Sequence, residues 1–261
     1  IFDLFRFGWK FTPFTDPQYF FPSTKVITFL LHQPRPFRIA SLDDRILPPN
    51  VSGYFGLETI EGYDPLVASR FEDFLRVSES GRADLTGAGG YNRIYTVRNT
   101  DSVLFPYFNV QYVLSLTSLT SERLKLAFSE GETKVYTYTD ALPRVYLAEA
   151  ITHVAGKNSN ETLAAVLEAS ESRRSAVVER ALDILSVPLS SDEGTQITAY
   201  DPYKIVITTH TLNTRLLVVL NRFDKKTHAT IDGKRARLER VNYLFSGVVV
   251  PAGTHNVVLK Y

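Results

Sequence analysis

The sequence predicts an α+β protein in which an N-terminal α/β region precedes a C-terminal antiparallel β-sandwich. Apolar residues recur at helical spacing near residues 67–75, which indicates an amphipathic helix. From residue 196 onward, short alternating segments separated by turn signals indicate a series of strands. The chain has 261 residues, of which 44% are hydrophobic, and can bury a large core. We therefore place the α/β region at residues 1–190 and the sandwich at residues 191–261.

The overall composition excludes several classes of function. The formal net charge is +1, so no overall field attracts nucleic acid, and nucleic acid is not an expected partner. The absence of cysteine excludes disulfides, thiolate metal sites and cysteine nucleophiles. No stretch approaches the ~18–20 apolar residues of a transmembrane helix. By itself, this stretch of chain is expected to be soluble.

The first segment is rich in aromatic residues and proline. Pro13, Pro17 and Pro22 exclude a long continuous helix. The rings fill either the core of the α/β region or a surface at a membrane interface, where amphipathic rings are favoured. The residues concerned are Phe2, Phe5, Phe7, Trp9, Phe11, Phe14, Tyr19, Phe20 and Phe21.

A short helix and a strand follow. Ser23 or Thr24 is expected to cap a helix that runs from Lys25 to His32. The segment 36–42 predicts a strand, and the proline- and glycine-rich segment after it predicts a loop.

The next helix is predicted to begin at Asp64. We expect Asp64 to be its N-cap and Pro65 to occupy the first helical position. Its apolar face comprises Val67, Phe71, Phe74 and Leu75.

The middle of the chain alternates strands with one short helix. Strands are predicted at 108–116 and 144–150, with a hairpin around Gly131 between them. Asn160 is expected to cap a helix that carries apolar residues on one face.

The sandwich is predicted from seven strands and the turns between them. The dipeptide Asp232-Gly233 is typical of a tight type I′ hairpin turn. The strands are Gln196–Ala199, Lys204–His210, Arg215–Asn221, His228–Ile231, Arg235–Tyr243, Gly247–Val250 and His255–Tyr261.

Motifs for catalysis or for cofactors are weak. The five histidines form no HxxxH or HxH pair, and no GxSxG motif is present. The run Gly87–Gly90 lacks the spacing of a phosphate-binding loop and favours a flexible loop. We expect no cofactor, no metal and no catalytic residue.

Three neighbouring carboxylates are the exception. Glu58, Glu61 and Asp64 lie within seven positions, and paired carboxylates serve glycosidic chemistry. The predicted capping role of Asp64 favours a structural interpretation, but a carbohydrate-active enzyme remains an alternative.

Ligand contacts are predicted from aromatic and charged residues in loops and turns. Tyrosines can stack on sugar rings, and the basic clusters at Lys225-Lys226 and 234–240 can contact anionic headgroups or polymer. The candidate ligand-binding residues are Tyr54, Glu61, Tyr63, Asp64, Arg240 and Tyr243.

Five motifs, in order along the chain, resemble the YfhO-like family of bacterial multi-pass membrane proteins. They are "LFRFGWKFTPFTDPQYFFPST", "LPPN" with "YFGLETIEGYDPL", "FNVQYVL", "ALPRVYL" and "ATIDGKRARLERVNYLFSGVVVPAGTHNVVLKY". The sequence departs from the family at "FDKKTHA", where the family often has a Y-P-G-W-K-type turn. At this turn the chain therefore lacks the aromatic residue with which the family could contact a sugar.

The resemblance implies a location and a function. The family's membrane part is similar to C-type integral-membrane glycosyltransferases that use polyprenyl-phosphate-linked sugars. The chain would then be an extracytoplasmic accessory domain on the bacterial cell membrane, without the catalytic core. Its implied partners are the transmembrane part of the same polypeptide, cell-envelope glycopolymer and lipid headgroups. Its role would be acceptor binding or roofing of the active site. The alternative is a structural domain that pairs with another envelope protein.

Overall fold

The computed structural model describes residues 1–11, 16, 19–86, 94–155 and 158–261, and it confirms the α+β fold class. The helices are α1 (Phe2–Phe11), α2 (Lys25–Leu31), α3 (Ser69–Ser80) and α4 (Ser159–Ala169). The strands are β1 (Arg38–Ser41), β2 (Glu58–Thr59), β3 (Gly62–Tyr63), β4 (Ile94–Tyr95), β5 (Val110–Ser115), β6 (Leu124–Glu130), β7 (Thr133–Tyr138), β8 (Val145–Leu147), β9 (Ala150–His153), β10 (Ser175–Val178), β11 (Gly194–Asp201), β12 (Lys204–Thr211), β13 (Arg215–Arg222), β14 (His228–Ile231), β15 (Lys234–Ala236), β16 (Leu238–Val241), β17 (Phe245–Val250) and β18 (Gly253–Lys260).

These strands form three large sheets and one small ladder. The N-terminal sheet has the order β2-β1-β5-β7-β6, with β1 parallel to both of its neighbours. The middle sheet has the order β8-β13-β17-β16-β10-β9, and the outer sheet, which is wholly antiparallel, has the order β11-β12-β18-β14-β15. The middle sheet takes strands from both sides of residue 190.

The middle and outer sheets pack face to face and form the predicted sandwich. In β13, Leu217 and Val219 point into this core. Ile207 of β12 and Leu259 of β18 meet them from the outer sheet, and all four side chains are buried. Because side chains alternate along each strand, each of the two sheets contributes one apolar layer to the core between them.

The other face of β13 builds a second core. Leu216 and Val218 point away from the sandwich and join Phe74 of α3 and Val166 of α4. Because β13 is covered on both faces, its sequence is an almost continuous apolar run instead of an alternating one. A third core packs α2 against the N-terminal sheet.

Several local predictions are confirmed. Thr24 caps α2, since its hydroxyl oxygen accepts a hydrogen bond from the amide of Ile27 at 3.2 Å. Gly131 lies at the tip of the β6–β7 hairpin with φ of 57°. Asp232 and Gly233 have φ of 50° and 78°, both in the left-handed region that a type I′ turn requires.

Two predicted helix caps are wrong. The third helix begins at Ser69 with Ala68 as N-cap, whereas Asp64 accepts a hydrogen bond from the amide of Leu66 in a local turn. Asn158 caps α4 through the amide of Asn160. In both places an Asx side chain bonds the amide two residues ahead, and spacing alone does not tell whether a helix follows.

The aromatic N-terminal segment does not fill the core. Helix α1 ends at Phe11, before the first proline, and the described rings of residues 2–9 and 19–20 are at least 63% exposed. Phe14 and residues 87–90 lie outside the described residues. Among the described helices, none combines the length and apolar character needed to cross a membrane.

Candidate functional site

The structure separates the three carboxylates that the sequence grouped. Glu58 contacts Arg144, both oxygens of Glu61 accept the amide hydrogen of Ser41, and Asp64 accepts from Leu66. They line three different cavities. The three side chains therefore do not form the facing pair that glycosidic chemistry requires.

Glu61 lies in an environment that favours its neutral form. Burial raises the pKa of Glu61 to about 8, against the opposing effect of hydrogen bonds from Ser41 and Thr59. Asp44 lies on the same small cavity, and its negative charge raises the pKa further. Among the described residues, no cation pairs with Glu61. The protonated, neutral form of this mostly buried side chain therefore avoids an uncompensated negative charge.

Arg240 and Tyr243 come together, but as part of the interior. The Tyr243 hydroxyl donates to Asp73 Oδ2 at 2.6 Å, and the ring is 1% exposed beneath the guanidinium of Arg70. Arg70 and Arg240 both pair with Glu179. This network joins the β16–β17 hairpin to α3 and leaves no ring face of Tyr243 open to a sugar.

The two remaining candidates lie on the surface. Tyr54 is 65% exposed and packs against Phe21 with ring centroids 4.4 Å apart and ring planes 33° apart. Tyr63 is 43% exposed, and its main chain exchanges two hydrogen bonds with the Asn50 side chain. Of the two, Tyr54 contacts the last ring of the aromatic segment described above.

A cleft of about 920 Å³ opens where β11 of the outer sheet approaches the N-terminal sheet. We call it the arginine cleft. Residues 197–202 form one wall, and Arg35, Arg222 and Lys226 contribute exposed cations. Glu58, Asp201 and Asp224 contribute carboxylates, and Tyr200 and Tyr261 contribute rings.

Two arginines beneath the cleft share one carboxylate. Arg144 Nη1 donates to Glu58 Oε2 at 2.9 Å, and Arg38 Nε lies 3.6 Å from the same oxygen. The Tyr200 hydroxyl donates to the other oxygen of Glu58 at 2.5 Å. Asn221 accepts from both guanidinium groups and donates to the Tyr261 hydroxyl at 2.7 Å. Six side chains of distant origin thus form one network.

The network carries an excess of positive charge. Burial, and then the neighbouring Arg144, lower the pKa of Arg38 to about 10. Burial also raises the pKa of Tyr200 to about 12, so its hydroxyl remains a proton donor. The Arg144 side chain is 1% exposed, and its Nη2 has no hydrogen-bond partner among the described residues. An acceptor oxygen is the group that this atom requires.

Sequence reasoning missed five members of this network: Arg38, Arg144, Tyr200, Asn221 and Tyr261. The only sequence signal was the proline before Arg144, which marks the start of a strand and not a binding residue.

We predict that Glu58→Gln destabilises the protein by about 2 kcal/mol, because it removes the carboxylate that the buried guanidinium of Arg144 shares with the mostly buried Arg38. Denaturant unfolding measures the effect. Glu122→Gln, at an exposed position without an ion pair, is the control and is expected to be neutral. Equal stability of the two variants would show that the junction does not depend on Glu58.

A second prediction concerns pH. The folded state holds a proton on Glu61 that the unfolded state releases above its ordinary pKa of 4.5, so the free energy of unfolding falls as pH rises towards about 8. Glu61→Gln is expected to flatten that slope, whereas Glu122→Gln leaves it unchanged. Thermal unfolding at a series of pH values checks this, and a slope unaffected by Glu61→Gln contradicts it.

Comparison of the chain with protein-family models, with curated proteins and with solved structures gave no match.

Proposed function

We propose that the chain is an extracytoplasmic accessory domain of a membrane glycosyltransferase-like protein and that it binds cell-envelope glycopolymer in the arginine cleft. The observation that carries this proposal is the buried pair Arg38 and Arg144, which shares the single carboxylate of Glu58 beneath an open cleft. In this proposal the membrane part of the same polypeptide performs catalysis, and the domain presents the acceptor or roofs the active site.

The chemistry of the cleft suits a polar chain that carries both hydroxyl and anionic groups. Carboxylate and amide side chains such as Asp201 and Asn221 exchange hydrogen bonds with sugar hydroxyls. Arg35 and Arg222 match phosphate or carboxylate oxygens through paired N–H donors. A volume of about 920 Å³ lies within the range of ligand sites. The cleft therefore has room for several sugar-sized groups.

The exposed aromatic segment supports a position against the membrane. Phe2 and Phe5 are 85% and 73% exposed on α1, which also carries Arg6. Aromatic rings mixed with cationic residues are favoured at the headgroup level of a bilayer. In the family that the sequence resembles, transmembrane helices flank this region, which agrees with such an edge.

Phe21, the last ring of the aromatic segment, lies close to the arginine cleft and to the end of the chain. It packs against Tyr54, and Gly56, two residues further on, lines the cleft together with Tyr261. In this proposal a polymer bound in the cleft lies on the side of the domain that carries Phe21. That location is consistent with an acceptor presented to a membrane-embedded enzyme.

An alternative function is a domain that pairs with another envelope protein. The same exposed rings on α1 favour it, since large apolar patches mark protein interfaces as well as membrane contacts.

Removal of two exposed cleft cations tests the binding proposal. We expect Arg35→Ser with Arg222→Ser to weaken binding of purified teichoic acid about tenfold, because two charge-assisted contacts are lost. Calorimetric titration measures the affinity. The control is Arg82→Ser with Arg98→Ser, which removes the same charge at exposed positions elsewhere. Equal affinity of the two double variants, or no binding by the parent protein, would refute the proposal.

Vesicle binding tests the membrane edge. Trp9 is the only tryptophan of the chain and is 81% exposed, so its fluorescence should shift to shorter wavelength on vesicles of anionic phospholipid. We expect Phe2→Ser with Phe5→Ser to reduce co-sedimentation several-fold, in proportion to the apolar area lost. Leu66→Ser with Leu185→Ser, at positions 87% and 79% exposed, is the control. Absence of vesicle binding would favour the protein-partner alternative.

A further inference from the structure

A second cavity lies at the edge of the outer sheet opposite the arginine cleft. It has a volume of about 460 Å³ and is lined by the Asp232 turn, β15, the end of β17 and Arg180. We call it the β15 groove. The outer sheet has β11 at one edge and β15 at the other, with three strands between them. Four inter-strand spacings therefore separate the two edge strands by about 19 Å. The two cavities are therefore distinct sites.

Positive charge dominates the β15 groove. Its cations are Arg180, Lys234, Arg235 and Arg237, and its carboxylates are Asp232 and Glu239. The net charge of the whole chain is only +1, so this concentration is local. Such a patch attracts anions at short range even though the protein as a whole is nearly neutral.

Both carboxylates of the groove are already engaged. Asp232 accepts from His255 Nδ1 at 2.7 Å and from the amide of Asn256 at 2.8 Å. Glu239 is 5% exposed and pairs with Arg180 and Arg237.

Two exposed cations remain for a ligand. Lys234 and Arg235 make no ion pair with any described residue, and both side chains are solvent-exposed. They are held on a short edge strand whose pairing with β14 fixes its register. The strand therefore fixes the backbone of both residues at the groove that they line, while their exposed side chains remain free to turn towards an anion bound there.

We propose that the β15 groove binds an extended polyanion that carries successive phosphate groups. Arg235 and Arg237 are two positions apart, which places their Cα atoms about 7 Å apart, a distance that two phosphates of one chain can span. Arg237 shares the carboxylate of Glu239 with Arg180, and its side chain is 72% exposed, so it keeps N–H donors for a phosphate. Arginine binds phosphate through two parallel N–H donors, and Lys234 adds a point charge. The groove is independent of the arginine cleft and of the function proposed for it.

The lining residues favour such a chain over two other anionic partners. Among the described residues, no Phe, Tyr or Trp lines the groove, and its one aromatic ring, that of His255, is bonded to Asp232 and to the carbonyl of Ala252, so bases of a single-stranded nucleic acid would find little stacking surface. Ile231 and Val249 are partly buried, and Pro251 is the one exposed apolar lining residue among those described, so the groove lacks the large exposed apolar side chains that insert into a bilayer.

The experiment measures binding of medium-chain linear polyphosphate to the full chain by calorimetry at low ionic strength. We expect affinity to increase from orthophosphate to tripolyphosphate to the longer chain, and to fall as salt is added. Lys234→Gln with Arg235→Gln should weaken binding at least about tenfold, since both exposed cations are lost. Both positions lie on the surface, so the fold should be retained, which circular dichroism verifies.

Matched variants separate the groove from general charge effects. Lys125→Gln with Lys225→Gln removes the same charge elsewhere, and Arg35→Ser with Arg222→Ser alters only the arginine cleft; both should retain polyphosphate binding. An equal loss in either pair overturns the proposal. It is also overturned if oligothymidylate, or vesicles of anionic phospholipid, bind through Lys234 and Arg235 more tightly than polyphosphate does. Teichoic acid also carries phosphates, so it is titrated into Lys234→Gln with Arg235→Gln as well, with and without Arg35→Ser and Arg222→Ser. Loss through the cleft residues alone, or through the groove residues alone, lets either proposal fail while the other stands.

Discussion

The carboxylate of Glu58 is the interaction on which the arrangement of the sheets depends. Glu58 lies on β2 of the N-terminal sheet, Arg144 directly precedes β8 of the middle sheet, and Tyr200 lies on β11 of the outer sheet. One side chain thus binds partners from all three sheets. Removal of any partner leaves a charged or polar group with low solvent access, and such groups are costly unless they are paired.

Around this junction, the layers are held by apolar packing that β13 shares between two cores. Leu217 and Val219 face the outer sheet, while Leu216 and Val218 face α3 and α4. A strand covered on both faces cannot shift by one residue without exchanging its two side-chain layers, so its register is strongly specified. The position of Arg144 follows from this register, because β8 pairs directly with β13.

The surface features occupy separate regions of the molecule. The arginine cleft lies at the β11 edge near the exposed aromatic segment, and the β15 groove lies at the other edge of the outer sheet. The cleft is lined by cations, carboxylates and tyrosines, whereas the groove has two exposed cations, Lys234 and Arg235, that form no ion pair within the described part of the chain. Different chemistry at the two edges would let one domain contact two parts of a polar, partly anionic chain.

The sequence by itself determined those features that depend on neighbours along the chain. The cap at Thr24, the left-handed turn at Asp232-Gly233 and most strands after residue 196 follow from side-chain type and alternation, so they were predictable. The single strand predicted at Arg235–Tyr243 is wrong, because the chain forms β15 and β16 there and then turns at Asn242 and Tyr243, both with positive φ. The cap assigned to Asp64 failed because an Asx side chain forms the same local hydrogen bond in a turn as at a helix start.

Only the tertiary structure decided the binding surfaces. Glu58 and Arg144 are 86 positions apart, and Arg38 reaches the carbonyl of Leu220 across 182 positions. No local pattern encodes such pairs, because they form only when sheets built from distant segments pack together. The exposure of the aromatic segment was undecided for the same reason: whether a ring is buried depends on which surface the rest of the chain places beside it.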